Sequence, residues 1–289
     1  MIFVKLIGGL GNQMFQYALG RVLADKNNCS LKLDISGFAD YPLRRYELDD
    51  LRIRADIASI EEIARFRETK PPHPLIDRIK KAIRWPQPGI FMERAFTFDL
   101  EVLELKPPAY LEGYWQSEKY FAHIVDTLRE DFTPSEVLND ENQAILQQMT
   151  AVNSVSLHVR RGDYVTNAHT AQYHGVCSLD YYRGAVKYIA ERVRSPHFFA
   201  FSDDTDWVKE NLIIDYPMTL VSVNSPDKGI WDMALMKSCR HHIIANSSFS
   251  WWGAWLNPSN QKLVVAPQRW FNQGTQDTRD LIPYSWARL

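Results

Sequence analysis

Residues 155–163 read Val155-Ser156-Leu157-His158-Val159-Arg160-Arg161-Gly162-Asp163. Apolar and polar residues alternate as far as Arg160, the period of a β-strand, so Ser156, His158 and Arg160 share one face and Val155, Leu157 and Val159 the other. Arg161 then enters a turn that Gly162 permits. The same rhythm continues to the end of the chain. Short apolar runs at Val155–Arg160, His197–Ser202, Met218–Val223, His241–Ala245 and Lys262–Ala266 read as strands. Segments of helical period separate them at Leu179–Arg194, Asp204–Ile213, Ile230–Cys239 and Ser248–Leu256. Strands alternating with helices specify a parallel sheet wound with helices, a Rossmann-like unit.

The first half is less regular. Met1–Ile7 reads as a strand, Gly8–Gly11 as a turn, Asn12–Lys26 as a helix and Ser30–Asp34 as a second strand. Helices are predicted at Ser59–Glu68, Leu75–Arg84, Ser117–Arg129 and Asn139–Met149, with breakers at Pro71-Pro72-His73-Pro74 and Trp85-Pro86-Gln87-Pro88-Gly89. The restart of the rhythm near Thr150–Ser154 sets two domains, 1–150 and 151–289. Neither repeats nor low-complexity segments break this pattern.

With 45% hydrophobic and 24% charged residues in 289, the chain can bury a core of ordinary size. A net charge of -2 excludes a global field for nucleic acid or anionic lipid, so basic residues matter only where they cluster. Cys29, Cys177 and Cys239 are odd in number and far apart, which argues against a disulfide framework or structural zinc and for a reducing cytoplasm. The apolar opening is too short for a signal peptide or span, and no later apolar run reaches about 18 residues. The reading is cytoplasmic, with a peripheral association at the inner membrane surface left open.

Ligands of open α/β sheets bind at the carboxyl ends of the strands, so the residues after each strand of the second half are the candidates. After the first come His158 to Asp163. An arginine fork binds phosphate through two charge-assisted hydrogen bonds and stays protonated at any physiological pH. The plainer alternative is a salt bridge between an arginine and Asp163. After the second strand come Ser202, Asp203 and Asp204. After the fourth, Asn246-Ser247-Ser248-Phe249 caps a helix whose first N–H groups form an anion site, to which Ser247 and Ser248 add hydroxyls. An ordinary N-cap explains the same residues equally well. Trp251, Trp252 and Trp255 follow; some must be core, while one could stack on a sugar or base.

Three further motifs weigh less. Gly8-Gly9-Leu10-Gly11-Asn12-Gln13 lacks the Lys-Ser/Thr of a phosphate-cradling loop and has Met14 where a dinucleotide fingerprint has its third glycine. Asp34 stands where a ribose-binding acid lies in such folds, as a weak match. The glycines allow close backbone approach to a ligand while Asn12 and Gln13 offer amides, against the alternative of a tight strand–helix turn. Asp204-Thr205-Asp206 spells the D-x-D of metal-dependent sugar transferases, but acids in a first helical turn are explained by capping and the helix dipole. His241 and His242 point to opposite faces of a strand and make a poor zinc site.

Three segments together resemble the bacterial α-1,2-fucosyltransferases of glycosyltransferase family 11. They are Gly8–Tyr17, His158–Tyr164 and Ser247-Ser248-Phe249-Ser250-Trp251-Trp252-Gly253-Ala254-Trp255, with Phe201–Asp204 in agreement. The resemblance implies a GT-B-like α/β fold of two Rossmann-like domains, the donor site in the C-terminal one and the acceptor side in the N-terminal one. It implies GDP-β-L-fucose as a substrate, no cofactor and no metal, and inverting transfer to O2 of a terminal galactose. The acceptor would be an oligosaccharide or lipid-linked glycan, as in polysaccharide or lipopolysaccharide biosynthesis; it leaves the oligomeric state open. By motif position Arg160 resembles the β-phosphate clamp and His158 a neighbour of the guanosine. Arg161, Ser202 and Asp203 belong with the donor. Asp232 matches a carboxylate on the guanine edge, Ser247, Ser248 and Phe249 the diphosphate-binding turn, and Gly11, Asn12 and Gln13 the cleft. Distant relatives carry a glutamate base shortly after H-x-R-R, whereas Tyr164–His174 contains no acid. Asp163 is then the nearest carboxylate, and beside two arginines it should be ionised and a poor proton acceptor. Two other readings are weighed: a metal-dependent GT-A transferase using Asp204 and Asp206, and a non-catalytic carbohydrate-binding protein using the nine tryptophans.

Overall fold

The computed structural model describes residues 1–40, 44–67, 89–162, 165, 172–173, 175–272 and 276–289, with 65–67 described by backbone alone. The predicted helix Leu75–Arg84 and both proline-rich breakers except Gly89 lie outside these residues. The chain divides into two compact units, 1–132 with 277–281, and 133–276 with 282–289.

The first unit is a five-stranded parallel sheet of order β3-β2-β1-β5-β4, formed by β1 (Ile2–Lys5), β2 (Leu31–Asp34), β3 (Asp56–Ile57), β4 (Ile90–Met92) and β5 (Ala109–Glu112). The last three escaped the sequence reading because they are short and lie where no regular strand–helix rhythm frames them. Helix α1 (Leu10–Lys26) follows β1 and is buried almost all round, which accounts for its lack of a polar face. Its N-cap is Gly9, which has no side chain to cap with, and the Glu47 carboxylate instead takes the Leu10 N–H at 2.9 Å. Gly20 brings α1 close to the sheet: a Cβ there would lie 2.5 Å from Val4 Cγ2 and 2.8 Å from Leu31 Cδ1. Helix α2 (Ile60–Arg67) follows β3, and α3 (Val125–Asp131) ends the unit's main run. The predicted helix Ser117–Arg129 is instead two 3₁₀ turns, Glu118–Tyr120 and Ala122–Ile124, leading into α3. Asp34 is fully buried and accepts from Tyr110 Oη at 2.5 Å and Ser36 N at 2.9 Å, so it is structural and binds no ribose.

The second unit is a six-stranded parallel sheet of β6 (Asn153–Val159), β7 (Pro196–Ser202), β8 (Met218–Val221), β9 (His241–Ile243), β10 (Val264–Ala266) and β11 (Ala287–Arg288). Its order is β8-β7-β6-β9-β10-β11, so the chain winds outward from β6 and then restarts on the other side at β9. That is the doubly wound order, with the direction reversing between β6 and β9. The period-2 alternation is visible in the core. Val155, Leu157, Val159, Phe198 and Ala200 pack on α5 (Leu179–Ala190) through Tyr182, Val186 and Ile189. Phe199, Phe201 and Val221 pack on the other face with Met149, Leu235 and Met236. Each buried phenylalanine contributes roughly 1.5–3 kcal/mol over its exposed state.

That second face explains the unit boundary. Helix α4 (Asp140–Thr150), assigned from sequence to residues 1–150, puts Met149, Ile145 and Leu146 into this core and so belongs with the sheet it covers. The remaining helices are α6 (Thr205–Asn211), α7 (Gly229–Ser238) and α8 (Ser248–Trp255). Trp251 and Trp252 are fully buried and Trp255 nearly so; Trp251 and Trp255 stack with centroids 5.8 Å apart. All three tryptophans are core, and none offers a face to a sugar. Among the described residues, no helix is long and apolar enough to cross a membrane.

Candidate functional site

In the second unit the two endings that flank the reversal are those of β6 and β9. Their registers pair Leu157 with Ile243, so His158, the next residue of β6, stands beside the start of Ile244–Ser247 leaving β9. Only 4% of His158 is exposed, and its ring lies 5.5 Å from that of Phe249 in α8. Its Nδ1 is buried without a hydrogen-bond partner among the described residues. Burial, together with the nearby Arg160, lowers its pKa to about 4, partly opposed by Asp203, so the imidazole is neutral at physiological pH.

Beyond β6 the two arginines part. Arg160 Nη1 meets Asp203 Oδ2 at 2.9 Å, with about a quarter of each side chain exposed. Arg161 donates its backbone N–H to Asp203 Oδ1 at 2.8 Å, its Nε to Asp204 Oδ2 at 3.1 Å, and lays its guanidinium 4.0 Å from the centre of the Trp207 ring. The sequence offered a salt bridge between one of these arginines and Asp163 as the plainer alternative to phosphate binding, and Asp163 lies outside the described residues. The structure pairs them with the carboxylates after β7, because β6 and β7 run in register with Val159 opposite Ser202. Gly162 completes the arrangement: a Cβ there would stand 2.5 Å from Asp203 Oδ2. Asp203, expected to touch the donor, is therefore engaged in holding Arg160 and the turn.

Asp204 is the N-cap of α6. Its Oδ1 accepts the Trp207 N–H at 3.1 Å while Oδ2 takes Arg161, and Ser202 Oγ accepts the Asp204 N–H at 3.0 Å. Asp206 is exposed and meets Lys209 at 3.2 Å. The D-x-D string is thus a capping sequence with both acids occupied by protein partners. Among the described residues no group of three His, Cys, Asp or Glu is placed to hold a metal ion. His242 is buried between Ser156 Oγ (2.8 Å from Nδ1) and Asn257 Nδ2 (3.0 Å from Nε2), while His241 Nδ1 accepts the Leu263 N–H at 3.1 Å. The two rings do diverge.

The β9 ending is built by Asn246, which donates to Gly175 O at 3.3 Å and Trp270 O at 3.1 Å and accepts from Cys177 Sγ at 3.4 Å. It fixes the bend from which Ser247 starts α8. Ser247 is the N-cap of α8 in extended conformation, yet its side chain makes no capping hydrogen bond. An ordinary N-cap would have used that hydroxyl on a first-turn N–H. Phe249 reaches from the same turn to Gly229 at the start of α7, where a Cβ would lie 3.5 Å from its ring.

Asp232, in the first turn of α7, is held by a set of amides that the sequence reading passed over. Its Oδ1 accepts from Asn224 Nδ2 at 2.7 Å, and burial raises its pKa to about 6 against the lowering effect of that bond. Asn224 and Asn142 exchange amide hydrogen bonds of 2.7 and 2.8 Å, and Asn142 donates a third, of 2.7 Å, to Asn139. Asn224 lies three residues after β8. The strand-end rule applied to β6, β7 and β9 would have found it had the third ending been inspected as well.

In the first unit the endings that flank the reversal are those of β1 and β5. Gly8 has φ +79° and no room for a Cβ beside the Asn12 side chain, so a glycine is required there. Asn12 Oδ1 accepts from Gln116 Nε2 at 2.7 Å, which joins the two endings. Gln13 is fully buried: it donates to Gly8 O (2.9 Å) and Arg45 O (2.7 Å) and accepts from Glu47 N (2.9 Å). Expected to face a ligand, Gln13 instead ties the turn to the loop after it. Gly11 is likewise buried within α1.

The comparisons with known proteins agree with this architecture. The model of glycosyl transferase family 11 matches residues 85–288. An alpha-1,2-colitosyltransferase of Escherichia coli is 36% identical over 299 residues, spanning 100% of this chain and 99% of its own. The O-antigen biosynthesis glycosyltransferase WbnK of the same organism is 34% identical over 316 residues, spanning 98% of this chain and 99% of its own. Half of this chain aligns at 29% identity with 42% of galactoside alpha-(1,2)-fucosyltransferase 1 of Leontocebus fuscicollis. Among solved structures, a point mutant of Arabidopsis thaliana FUT1 in complex with GDP superposes with a TM-score of 0.52 at 10% identity over 91% of this chain and 69% of that one, a likeness of fold. Two Rossmann-like α/β units with the expected strand endings, a family match over more than half the chain and full-length relatives above 30% identity have one meaning: the chain is a GT-B-like glycosyltransferase of family 11.

Proposed function

We propose that the second unit binds the GDP moiety of GDP-β-L-fucose and that the chain transfers the sugar, with inversion, to O2 of a terminal galactose on an oligosaccharide or lipid-linked glycan. The observation that carries this reading is the pair of endings at the β6–β9 reversal. Arg160 is a fixed cation held by Asp203, and beside it a helix begins at Ser247 with no side-chain cap on its first turn. As the bond from the anomeric carbon to the β-phosphate oxygen breaks, negative charge grows on the diphosphate. A preorganised guanidinium and helix N–H groups stabilise that charge more than they stabilise the intact donor. Arg160 acts as the phosphate clamp, Ser247 and Ser248 as diphosphate donors, and His158 and Phe249 as the wall beside the nucleoside. Asp232 meets the guanine edge. Arg161, Ser202 and Asp203 hold that assembly in place. Asn12, oriented by Gln116, contributes an amide on the acceptor side. The attacking hydroxyl forms its bond to the anomeric carbon as GDP departs and its proton passes to solvent, and no metal or cofactor takes part.

A second donor is favoured by one specific finding, the full-length likeness to a protein named for colitose. Colitose is L-fucose without its 3-hydroxyl, and the GDP-clamping residues described do not distinguish the two nucleotide-sugars. The test is a matrix of GDP-fucose, GDP-colitose and UDP-galactose against lactose and N-acetyllactosamine, with and without chelator, with product linkage read by NMR. The expected result is a 2-linked product from a GDP-sugar that persists in chelator. Turnover confined to UDP-galactose, or activity abolished by chelator and restored by manganese, would overturn the proposal.

A further inference from the structure

Guanine presents N1–H and the N2 amino group side by side, two donors that match the two oxygens of one carboxylate, whereas adenine presents an acceptor at N1. A carboxylate reads this edge only when it is ionised, because a protonated one has lost an acceptor. It must also be held against rotation about its terminal torsion, which is broad and weakly two-fold. Asp232 is largely buried, which works against ionisation, so its neighbours have to meet both conditions.

Both requirements point to the three asparagines. Asn224 donates to Asp232 Oδ1, while Oδ2 has no hydrogen bond among the described residues. The orientation of Asn224 is in turn fixed, since its own oxygen accepts from Asn142 and its nitrogen also reaches Asn142 Oδ1. Asn142 is fully buried and locked by Asn139, the N-cap of α4, which accepts both its side-chain and backbone N–H groups. Helix α4 is anchored in the core through Met149. We infer that Asn224 and Asn142 are positioning residues that hold Asp232 as an ionised, fixed acceptor and so set the preference of the donor site for guanine. This inference rests on the reading that Asp232 meets the guanine edge.

The charges around α7 do not supply the same service. Lys228 stands 5.2 Å from the centre of the Trp231 ring and 3.8 Å from Glu136, and Asp227 accepts from Ser225 Oγ at 2.5 Å. Helix α4 contributes exposed Asp140 and Glu141, and α8, packed on α7, contains no titratable side chain. Burial and the Asn224 bond are the influences that act on Asp232. Burial raises its pKa and the bond lowers it, so losing the bond moves the midpoint upward.

The experiment is calorimetric titration of GDP into the full chain between pH 5.5 and 8, for wild type, Asp232→Asn, Asn224→Ala and Asn142→Ser. The terminal phosphate of GDP titrates near pH 6, about where Asp232 does. That contribution is common to all variants and cancels in each ratio to Asp232→Asn. The wild-type ratio should fall as pH drops through about 6. Asn224→Ala, with its midpoint about one pH unit higher, should bind GDP roughly eightfold more weakly than wild type at pH 5.5, about twofold more weakly at pH 7 and like wild type by pH 8. Asn142→Ser should shift the midpoint in the same direction by less, and serves if Asn224→Ala does not fold. A uniform weakening of Asn224→Ala with the wild-type midpoint means a merely structural role and overturns the inference. Unchanged GDP binding by Asp232→Asn overturns the guanine-edge reading itself, and the inference falls with it.

Discussion

Replacing Asp203 by alanine sets two effects against each other, and the structure says which wins. Its carboxylate accepts from Arg160 Nη1 at 2.9 Å and from the Arg161 backbone N–H at 2.8 Å. Hydrogen bonds to charged groups contribute about 1.5–3 kcal/mol each when shielded. With about a quarter of the pair exposed, solvent screening reduces their joint contribution to folding to about 1–2 kcal/mol. Removing a negative charge beside an incoming diphosphate should by itself strengthen donor binding. Arg160, however, is a long side chain that loses the carboxylate holding its guanidinium, and a misplacement of about 1 Å in a site of this kind costs on the order of 100-fold. Geometry therefore outweighs charge, and Asp203→Ala should lower kcat/KM roughly 10- to 100-fold in a GDP-release assay while the chain stays folded. Gly162→Ala, whose Cβ would crowd the same carboxylate at 2.5 Å, should act in the same direction. Wild-type or faster turnover by Asp203→Ala would refute the view that Asp203 positions Arg160.

Other expectations follow from the same geometry. His158 and His242 are buried and neutral, with pKa values lowered to about 4 and well below the usual value, respectively. Below about pH 6.5 the unfolded chain takes up two protons that the folded chain refuses, so stability falls with pH by up to about 2.7 kcal/mol per unit. Asp232, raised to about 6, gains its proton in the folded state over the same range and cancels one of these two losses, so a melting series should show a net decline of about 1.4 kcal/mol per pH unit below about pH 6. Gly20→Ala should cost roughly 1–3 kcal/mol by forcing α1 from Val4 and Leu31, measured by denaturant unfolding. Asp206→Ala should leave activity within about twofold, since Asp206 is an exposed partner of Lys209, and saturating chelator should change neither protein; a loss specific to this variant would revive a metal role.

How much of this was readable in the sequence follows from which residues carry a period. Five of the six strands of the second unit were legible, because β6 alternates over seven residues and the others are apolar runs separated by segments of helical period, and their endings followed from the rule for parallel sheets; β11, two residues long, was not. Strands β3, β4 and β5 were not, since they are short and stand outside any regular strand–helix rhythm, so their identity comes from pairing with β1 and its neighbours. The partners of Arg160 and Arg161 were hidden for a similar reason: Asp203 is far from Arg160 along the chain, and only the β6–β7 register brings them together. Asp34 and Gln13 looked available because burial of a polar side chain is decided by tertiary partners, Tyr110 and the loop near Arg45, that no local pattern announces.

The claim that the β6–β9 endings hold the donor's diphosphate is tested most directly by calorimetric titration of GDP into wild type and Arg160→Ala at neutral pH and fixed ionic strength. The wild type should bind GDP and prefer it to UDP. Arg160→Ala should bind at least about 100-fold more weakly, on the order of 2.7 kcal/mol, with its melting curve retained. Binding of GDP by Arg160→Ala within about twofold of wild type would contradict the account.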